Sequence, residues 1–439
     1  MRVSRYFLPT LKETPADAQI ASHRFMLRAG MMRQETSGIY SWLPLGLRVL
    51  KNIERIVADE LDKAGCIRLL MPTLQPTELW KESGRYDALG KEMLRFYDRH
   101  GRELLYSPTN EEMIVTIFRN YVKSYKQLPV NLYQINWKFR DEIRPRFGVM
   151  RGREFLMKDG YSFHRDIEDA TREYGAMYDA YHRIFKRLGL VAIAVKADSG
   201  AIGGSMSHEF QVLAETGESQ IYYDAALDEA RAGTRKLSGE ELRNIYAAAD
   251  EMHDPNNCPI PEGALKTARG IEVGHIFLLG RKYTDAMQVD VMDEQGKPLR
   301  VEMATYGIGV SRLVGAVIEA SHDDAGIIWP EAVAPFHVGI INLRKGDAAC
   351  DAMCESLYNS ITTQQISALY DDTDDRGGAK FANMDLIGLP WQIIVGPRGA
   401  AENKIEVKSR KSGEKFELSS EDALTLLVGK VKAALAISA

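Results

Sequence analysis

A change of pattern at IIWPEAVAP (327–335) constrains the fold most strongly, because it divides the chain into two parts with different rhythms. Before it, strand-like segments follow one another without a regular alternation with helices, which predicts an antiparallel sheet flanked by helices. After it come the strands FHVGIINL, ISALYDD and WQIIVGP, with an amphipathic helix after the first, as in a small α/β domain. A chain of 439 residues also exceeds one ordinary core. We therefore predict an α+β domain over 1–333 and an α/β domain over 334–439.

The pattern weakens at 223–266. A short helical segment, SGEELRNIYAAADEM, leads there into HDPNNCPIPEG, which is rich in proline and asparagine. Such a sequence fits a surface insertion better than a part of the core. We predict a short insertion within the first domain.

Composition limits the classes of protein that fit. The net charge of −5 argues against broad, non-specific nucleic-acid binding, although a local basic patch can still bind phosphate. The four cysteines give no disulfide framework, and Cys350 and Cys354 lie one helical turn apart without a second cysteine pair for zinc. The first residues, MRVSRYFLPTLKET, lack the apolar core expected of a signal peptide, and the sequence has no run of 18 apolar residues that could cross a membrane. These features predict a cytoplasmic enzyme or binding protein.

The stretch FRDEIRPRFGVMRGREF (139–155) concentrates five arginines in this acidic chain. Strand side chains alternate, so Arg140 and Glu142 share the polar face of one strand, and a second strand has a face formed by Arg151, Arg153 and Phe155. If the two strands form a hairpin, guanidinium groups, a carboxylate and an aromatic ring meet over one surface, as nucleotide binding requires. A solvated hairpin with cross-strand ion pairs is the alternative.

TYGIGVSR (305–312) contains two glycines of the dinucleotide-binding pattern, but Arg312 stands where its third glycine belongs. The glycines instead end a strand and begin a helix, which places Arg312 in or near the first turn. Backbone N–H groups, helix dipole and guanidinium there favour an anion. Tight packing of the helix on the sheet is the alternative explanation of the glycines.

SPTNEE (107–112) is ambiguous. Thr109 and Glu112 have the spacing of a capping box, which explains both residues structurally. Glu111 is left over, an acid at a helix start where it can meet a cationic ligand. Glu272 and His275 flank a strand in EVGH, and each alone is more typical of a surface group than of a ligand.

Together these segments resemble the class II aminoacyl-tRNA synthetases, and in detail the prolyl-tRNA synthetases of the bacterial kind. GIYSWLPLGLRVL with MPTLQP resembles motif 1, FRDE with RGREF motif 2, and YGIGVSR motif 3. SPTNEE, GGSMSHEFQVLAE and GIEVGHIF resemble segments that shape the amino-acid and ATP pocket of the proline family. DDRGGAKFANMDLIGLPWQIIVG resembles an anticodon-binding domain.

The resemblance implies a class II catalytic domain, a C-terminal α/β anticodon-binding domain and a proline–tRNA ligase activity. L-proline and ATP would give prolyl-adenylate and pyrophosphate, and proline would pass to the 3′ end of tRNA(Pro). ATP would be used with Mg²⁺, without zinc or an organic cofactor, by a homodimer formed through the motif 1 region. Longer bacterial relatives carry an editing domain where this chain has 224–266, too few residues for an independent hydrolytic domain.

Individual residues receive implied roles. Arg140 and Arg312 would be catalytic, with Arg140 bridging the proline carboxylate and the α-phosphate of ATP. Residues implied in ATP binding are Arg140, Glu142, Arg151, Phe155, Glu272, His275 and Arg312. Those implied in proline binding are Thr109, Glu111, Arg140, Glu209, Gln211 and Phe277. Glu272 would also ligate Mg²⁺, and Arg144 and Arg146 would contact the acceptor end of the tRNA. The alternatives are a non-catalytic tRNA-binding paralogue and a class II synthetase for another amino acid, such as threonine.

Overall fold

The computed structural model describes residues 1–231, 234–235 and 239–437. The strands before residue 327 are β1 (Met32–Thr36), β2 (Ile39–Trp42), β3 (Ile67–Arg68), β4 (Leu74–Pro76), β5 (Arg95–Tyr97), β6 (Glu103–Tyr106), β7 (Val130–Phe139), β8 (Glu154–His164), β9 (Ala192–Lys196), β10 (Met206–Leu213), β11 (Ser219–Asp224), β12 (Ala247–Ala249), β13 (Leu265–Gly280), β14 (Asp290–Met292), β15 (Pro298–Arg300) and β16 (Glu302–Gly309). The helices there are α1 (Ala21–Arg28), α2 (Pro44–Lys63), α3 (Thr77–Glu82), α4 (Glu111–Tyr121), α5 (Ile167–Arg187), α6 (Ala226–Arg231), α7 (Gly239–Asn244), α8 (Lys282–Ala286) and α9 (Val310–Ala320).

The rest of the chain contains β17 (Val338–Asn342), α10 (Ala348–Thr363), β18 (Ala368–Asp371), α11 (Gly377–Ile387), β19 (Trp391–Val395), α12 (Pro397–Ala401), β20 (Ile405–Ser409), β21 (Lys415–Leu418) and α13 (Ser420–Ile437). Of the helices in the described ranges, none is both long enough and apolar enough to cross a membrane.

The main sheet is antiparallel, as predicted. Within the described ranges, nine strands follow the order β10-β9-β12-β11-β13-β16-β8-β7-β3, and only the pairs β9/β12 and β3/β7 are parallel. The long strand β13 also pairs with β10. β7 and β8 form the predicted hairpin, with Phe139 opposite Glu154 next to the connecting segment. The hairpin therefore places the arginine-rich stretch at one end of the sheet.

The two faces of this sheet have different neighbours. Ile276 and Tyr306 are fully buried in the core that the sheet forms with α2, α5 and α9. Because side chains alternate along a strand, their neighbours His275 and Thr305 point to the opposite face. That face carries a cavity that both residues line. The predicted antiparallel sheet flanked by helices is confirmed, and α4 and α8 cover part of this second face beside the cavity.

The segment 223–266 is only partly a surface insertion. Ala247–Ala249 forms strand β12, which is buried and pairs with both β9 and β11. The prediction of a helix through these alanines is wrong, because sheet pairing at both edges overrides the helix propensity of alanine. Leu227 of α6 packs against Ile193 and Val195 of the sheet. This part of the chain thus adds to the first domain's sheet.

The C-terminal part is the small α/β domain that the strand–helix–strand pattern predicts. Among its described residues the strand order is β18-β17-β19-β20-β21, in which β18, β17 and β19 are parallel and the other pairings antiparallel. The three predicted strands correspond to β17, β18 and β19, and α10 connects the first two. Val338, Ile340 and Ile393 belong to a hydrophobic core of this domain.

Polar contacts fix the two parts against each other. Trp329 Nε1 donates a hydrogen bond of 2.8 Å to the carbonyl oxygen of Ile387. Arg410 forms an ion pair with Asp323, with 2.5 Å between Nη2 and Oδ1. The hydrogen bonds from Arg410 lower the pKa of Asp323 to about 2 against the effect of burial. The ion pair therefore persists at any pH near neutrality.

Candidate active site

A cavity of about 400 Å³ opens on the sheet face opposite α2, α5 and α9. Its floor is formed by β8, β13 and β16, and its wall includes the segment between β7 and β8. Ten of the predicted site residues line it, namely Thr109, Glu111, Arg140, Glu142, Arg151, Phe155, Glu272, His275, Phe277 and Arg312. The segments singled out in the sequence thus meet on one surface, although Thr109 and Arg312 are 203 positions apart.

Arg140 follows β7 directly and projects into the cavity. Its Nε donates to the carbonyl oxygen of Pro108 over 3.3 Å, and its guanidinium carbon lies 5.4 Å from the centre of the Phe155 ring. Burial lowers the pKa of Arg140, and the charges of Glu111 and Glu272 oppose that shift. The guanidinium is therefore a half-buried cation within electrostatic reach of two acids that come from different parts of the chain.

Arg151 joins two carboxylates at the edge of the cavity. Its Nη2 lies 2.9 Å from Glu142 Oε1, and its Nη1 lies 3.1 Å from Glu218 Oε2. Arg146 Nε lies 2.8 Å from the other oxygen of Glu218. Burial opposes the shift, but the hydrogen bond from Arg151 lowers the pKa of Glu142. Since these side chains are partly exposed, their ion pairs are weak, and a phosphate can replace the carboxylates at little cost.

Arg312 is the third residue of α9, in the first turn as predicted. Its Nη1 donates to the backbone oxygen of Glu272 over 2.8 Å and lies 3.3 Å from Glu272 Oε2. His275 Nδ1 lies 3.6 Å from Glu272 Oε1 and 3.7 Å from Glu209 Oε1. The His275 ring stacks on Phe277 with 3.8 Å between their centres. One charged cluster beside Arg140 thus contains Glu209 of β10, Glu272 and His275 of β13, and Arg312 of α9.

The two acids of this cluster differ in protonation. Burial raises the pKa of Glu209 to about 7, and the charge of Glu272 adds to that effect. Burial would also raise the pKa of Glu272, but the neighbouring His275 ring and the charge of Arg312 lower it to about 2. Ligand atoms of Glu209, Glu272 and His275 all lie within 4.8 Å of one another. Glu272 is therefore the permanent anion of the cluster and the residue best suited to hold a cation.

Glu111 and Glu112, the first two residues of α4, are buried and face different partners. Thr109 Oγ1 donates to Glu111 Oε2 over 2.7 Å. Arg85 Nη1 lies 3.3 Å from Glu111 Oε2 and 2.9 Å from Glu112 Oε1. Ser83 Oγ also donates to Glu112 Oε1, over 2.8 Å. Glu111 borders the cavity, whereas Glu112 does not line it.

The predicted capping box of Thr109 and Glu112 is wrong. The N-cap of α4 is Asn110, and its side chain makes no capping hydrogen bond. The Glu112 carboxylate cannot reach back to the helix end, because Arg85 and Ser83 hold it. The sequence pattern did not include this possibility, since Arg85 is 27 positions away from Glu112.

A buried polar network below the cavity was not predicted. Asp159 lines the cavity, and its Oδ2 accepts hydrogen bonds from Tyr161 (2.7 Å) and Gln134 (2.9 Å). Lys138 Nζ lies 3.1 Å from Asp159 Oδ1. A buried ion pair of this kind persists only when hydrogen bonds satisfy its remaining atoms. The one available signal was the placement of Gln134 and Lys138 on the polar face of a central strand.

Some predicted residues do not line the cavity. Gln211 is fully buried and donates to Glu209 Oε2 over 2.7 Å, so both side chains lie together beside the His275 cluster. Their role in proline binding stays a prediction. Arg153 was predicted to share a face with Arg151, but its Nε donates to the carbonyl oxygen of Ser37. The alternation fails there because β8 begins only at the next residue.

Comparison with known proteins decides the family. The tRNA synthetase class II core domain (G, H, P, S and T) matches residues 94–321, and the anticodon binding domain matches residues 337–430. The chain is 60% identical over 439 residues to the proline–tRNA ligase of Parvibaculum lavamentivorans, covering 98% of this chain and 100% of the relative. It is 58% identical over 438 residues to that of Hyphomonas neptunium, covering 98% and 100%. The chain belongs to the proline–tRNA ligase family.

The fold of the proline–tRNA ligase family is also found by structural comparison. A crystal structure of prolyl-tRNA synthetase from Cryptosporidium parvum, complexed with L-proline and AMP, aligns with a TM-score of 0.74 over 98% of this chain and 80% of that chain. The sequences are only 16% identical, so this likeness concerns the fold alone. The predicted family and the predicted order of a class II core followed by an anticodon-binding domain are confirmed. Membership of this family excludes the alternative of a class II synthetase for threonine.

Proposed function

We propose that this member of the proline–tRNA ligase family converts L-proline and ATP into prolyl-adenylate and pyrophosphate, and then transfers proline to the 3′ end of tRNA(Pro). The observation that carries the proposal is the charge arrangement in one cavity, where Arg140 interacts electrostatically with Glu111 and with the Glu272–Arg312 pair. An amino acid requires an anion for its ammonium and a cation for its carboxylate. ATP requires further cations for its phosphates.

Arg140 joins the two substrates in this proposal. A carboxylate oxygen of proline attacks the α-phosphorus of ATP, the bond to the leaving pyrophosphate breaks, and negative charge gathers on the phosphoryl oxygens. Arg140 stabilises this charge while it also holds the proline carboxylate. Because the attacking carboxylate is already an anion, no side chain has to remove a proton. Positioning and electrostatic stabilisation supply the rate enhancement.

The ATP site extends from Arg140 along the hairpin. Phe155 would stack on the adenine ring, and Glu142 would accept a hydrogen bond from its amino group. Arg151 and Arg312 would bind the triphosphate. To do so, Arg151 would give up its contacts with Glu142 and Glu218, and Arg312 its contact with Glu272. The partial exposure of Arg151 and Arg312 supports such an exchange.

Glu272 fits the requirements of Mg²⁺, which prefers one or two carboxylates together with phosphate oxygens. Its low pKa keeps it charged, and Glu209 offers a second carboxylate nearby. When bound, Mg²⁺ would neutralise part of the phosphate charge. His275 lies beside this site, towards the nucleotide.

We also propose roles for the two domains, for the contacts with tRNA and for a second copy of the chain. Residues 1–333 would be the catalytic domain, and 334–439 would bind the anticodon of tRNA(Pro). Arg144 and Arg146 would touch the acceptor end of the tRNA. A homodimer through the motif 1 region is supported by the exposure of Ile67 and Leu70, at 60% and 74%. The enzyme would work in the cytoplasm.

The proposal is tested by ATP–pyrophosphate exchange with the purified protein. Exchange that depends on proline and is not supported by threonine is expected. A non-catalytic tRNA-binding paralogue would bind tRNA(Pro) but show no exchange with any amino acid, and that result would remove the proposal.

We expect some alanine to be activated and loaded onto tRNA(Pro), because a pocket gains only about 1–3 kcal/mol from each extra methylene of the correct substrate. The alanyl-tRNA should then persist, since the described part of 223–266 packs onto the sheet and forms no hydrolytic domain. Preformed alanyl-tRNA(Pro) is incubated with the pure enzyme, with prolyl-tRNA(Pro) as the control. Hydrolysis of the alanyl ester clearly above the spontaneous rate would contradict this expectation.

A further inference from the structure

Arg85 and Glu112 have no part in the chemistry proposed above, yet both are buried beside the acid assigned to the proline ammonium. Arg85 is 4% exposed, and its guanidinium packs on the rings of Trp80 and Tyr283 at 4.9 and 5.2 Å from their centres. Its Nη1 faces both Glu111 and Glu112 and lies closer to Glu112, at 2.9 Å against 3.3 Å. An ionised pair in such a position is costly to bury and calls for a reason.

We infer that Arg85 and Glu112 are positioning residues which act through Glu111, and that their combined charge leaves Glu111 available to the proline ammonium. This inference rests on the proposed function. The cluster of Arg85, Glu111 and Glu112 contains one guanidinium and two carboxylates, so its net charge is −1. Because Glu112 takes the shorter contact with Arg85, the negative charge left over belongs mainly to Glu111 at the cavity.

Groups on the surrounding elements support this division of roles. The other groups that face the acid pair are Ser83, Thr109, Arg140, Tyr161, Lys282, Tyr283 and Thr305. Two of these are cations, and both have other contacts: Lys282 Nζ donates to the carbonyls of Ala201 and Ile202, and Arg140 donates to Pro108. Among the residues that the structure describes, Arg85 is thus the cation that contacts the acid pair directly.

The inference predicts that the affinity for proline follows the cluster charge. Glu112→Gln keeps the side-chain shape but brings the charge to zero, because Arg85 then pairs with Glu111 alone. We expect the proline KM to rise about tenfold, with the ATP KM nearly unchanged. Adding Arg85→Met to Glu112→Gln restores a charge of −1, so the double variant should bind proline better than Glu112→Gln does.

The measurements are the proline KM and the ATP KM in ATP–pyrophosphate exchange, together with the Tm of each variant. Glu60→Gln is the matched control, because Glu60 is also buried, pairs with Arg183 and Arg187 at 3.0 and 2.8 Å, and lies outside the cavity lining. It should lower the Tm without changing the proline KM. The four proteins compared are the wild type, Glu112→Gln, the double variant and Glu60→Gln. If their proline KM simply follows their Tm, Arg85 and Glu112 are structural only and the inference is wrong.

The wild-type enzyme provides a second test that needs no variant. Burial raises the pKa of Glu112 to about 7, and Arg85 opposes this. Above that pH Glu112 is charged and occupies Arg85; below it Glu112 is protonated and Arg85 turns to Glu111. The proline KM should therefore rise as the pH falls from 8 to 6, a range in which free proline does not titrate. Glu112→Gln should weaken this dependence and leave the part that comes from Glu209, whose pKa is also raised to about 7.

The outcomes separate the inference from the proposal beneath it. Absence of proline-dependent exchange in the wild-type protein would overturn the proposed function itself. Normal exchange, with a proline KM that is independent of pH and unchanged in Glu112→Gln, would leave the proposed function intact and overturn the roles of Arg85 and Glu112.

Discussion

Arg140→Ala is expected to slow proline-dependent ATP–pyrophosphate exchange at least a hundredfold while the protein remains folded. In the proposed mechanism the guanidinium contacts both substrates only when the carboxylate and the α-phosphate are brought together, so its contribution is expected mainly in the transition state. Such a contact is worth about 3 kcal/mol or more, which corresponds to a factor of a hundred or greater. The loss should appear in kcat at saturating proline and ATP, and also in single-turnover formation of the adenylate.

Arg153→Ala is the matched control for Arg140→Ala. Both arginines belong to the same hairpin, but Arg153 is directed to the backbone of Ser37 and does not line the cavity. Its replacement should leave the exchange rate close to that of the wild-type protein. Equal rates for the two variants would show that Arg140 is not the residue that bridges the substrates.

Glu111→Gln should raise the proline KM roughly thirtyfold or more, since removing one member of a buried charge pair costs about 2–5 kcal/mol. The amide keeps the shape of the side chain and its hydrogen bond with Thr109, but loses the charge that we propose faces the ammonium. The ATP KM should change little, because the proposed role of Glu111 concerns proline and not the nucleotide. Exchange measured as a function of each substrate separates the two effects.

The neighbouring acids Glu111 and Glu112 should respond differently to replacement by glutamine. As a helix cap, Glu112 would tolerate glutamine without consequence. Because Glu112 contacts Arg85, we expect Glu112→Gln to raise the proline KM by less than Glu111→Gln does and by more than Glu60→Gln does. If Glu111→Gln proves as mild as Glu60→Gln, the ammonium is bound elsewhere in the cavity.

Local patterns in the sequence were sufficient for most of the fold and for part of the cavity lining. The glycines of TYGIGVSR predicted the helix start that carries Arg312. Strand alternation brought Arg140 and Glu142 to one surface, although both residues follow β7, which ends at Phe139, and do not belong to the strand. These features depend on a few neighbouring residues. The family resemblance then assigned roles to residues such as Glu272 and His275 that spacing alone did not distinguish from surface groups.

What the sequence did not show depends on contacts between distant segments. Arg85 pairs with Glu112, Asp159 with Lys138, and Glu218 with Arg151, and no periodicity within one segment records these partners. The strand β12 was missed for the same reason, since its alanines favour a helix until neighbouring strands offer hydrogen bonds. Local propensity is a weak guide where tertiary pairing decides.

Strand β12 also has a consequence for protein engineering. Tyr223 of β11 is paired with Ala247 of β12, and the backbone N–H of Asp224 bonds to Tyr246 over 3.0 Å. The chain therefore leaves the sheet and returns to it at adjacent points, about 5 Å apart as in any antiparallel pair. Foreign domains are tolerated best where both of their ends attach close together at a surface. A hydrolytic module grafted between residues 225 and 246 should thus fold without opening the sheet, which makes this excursion the natural place to give the enzyme a proofreading function.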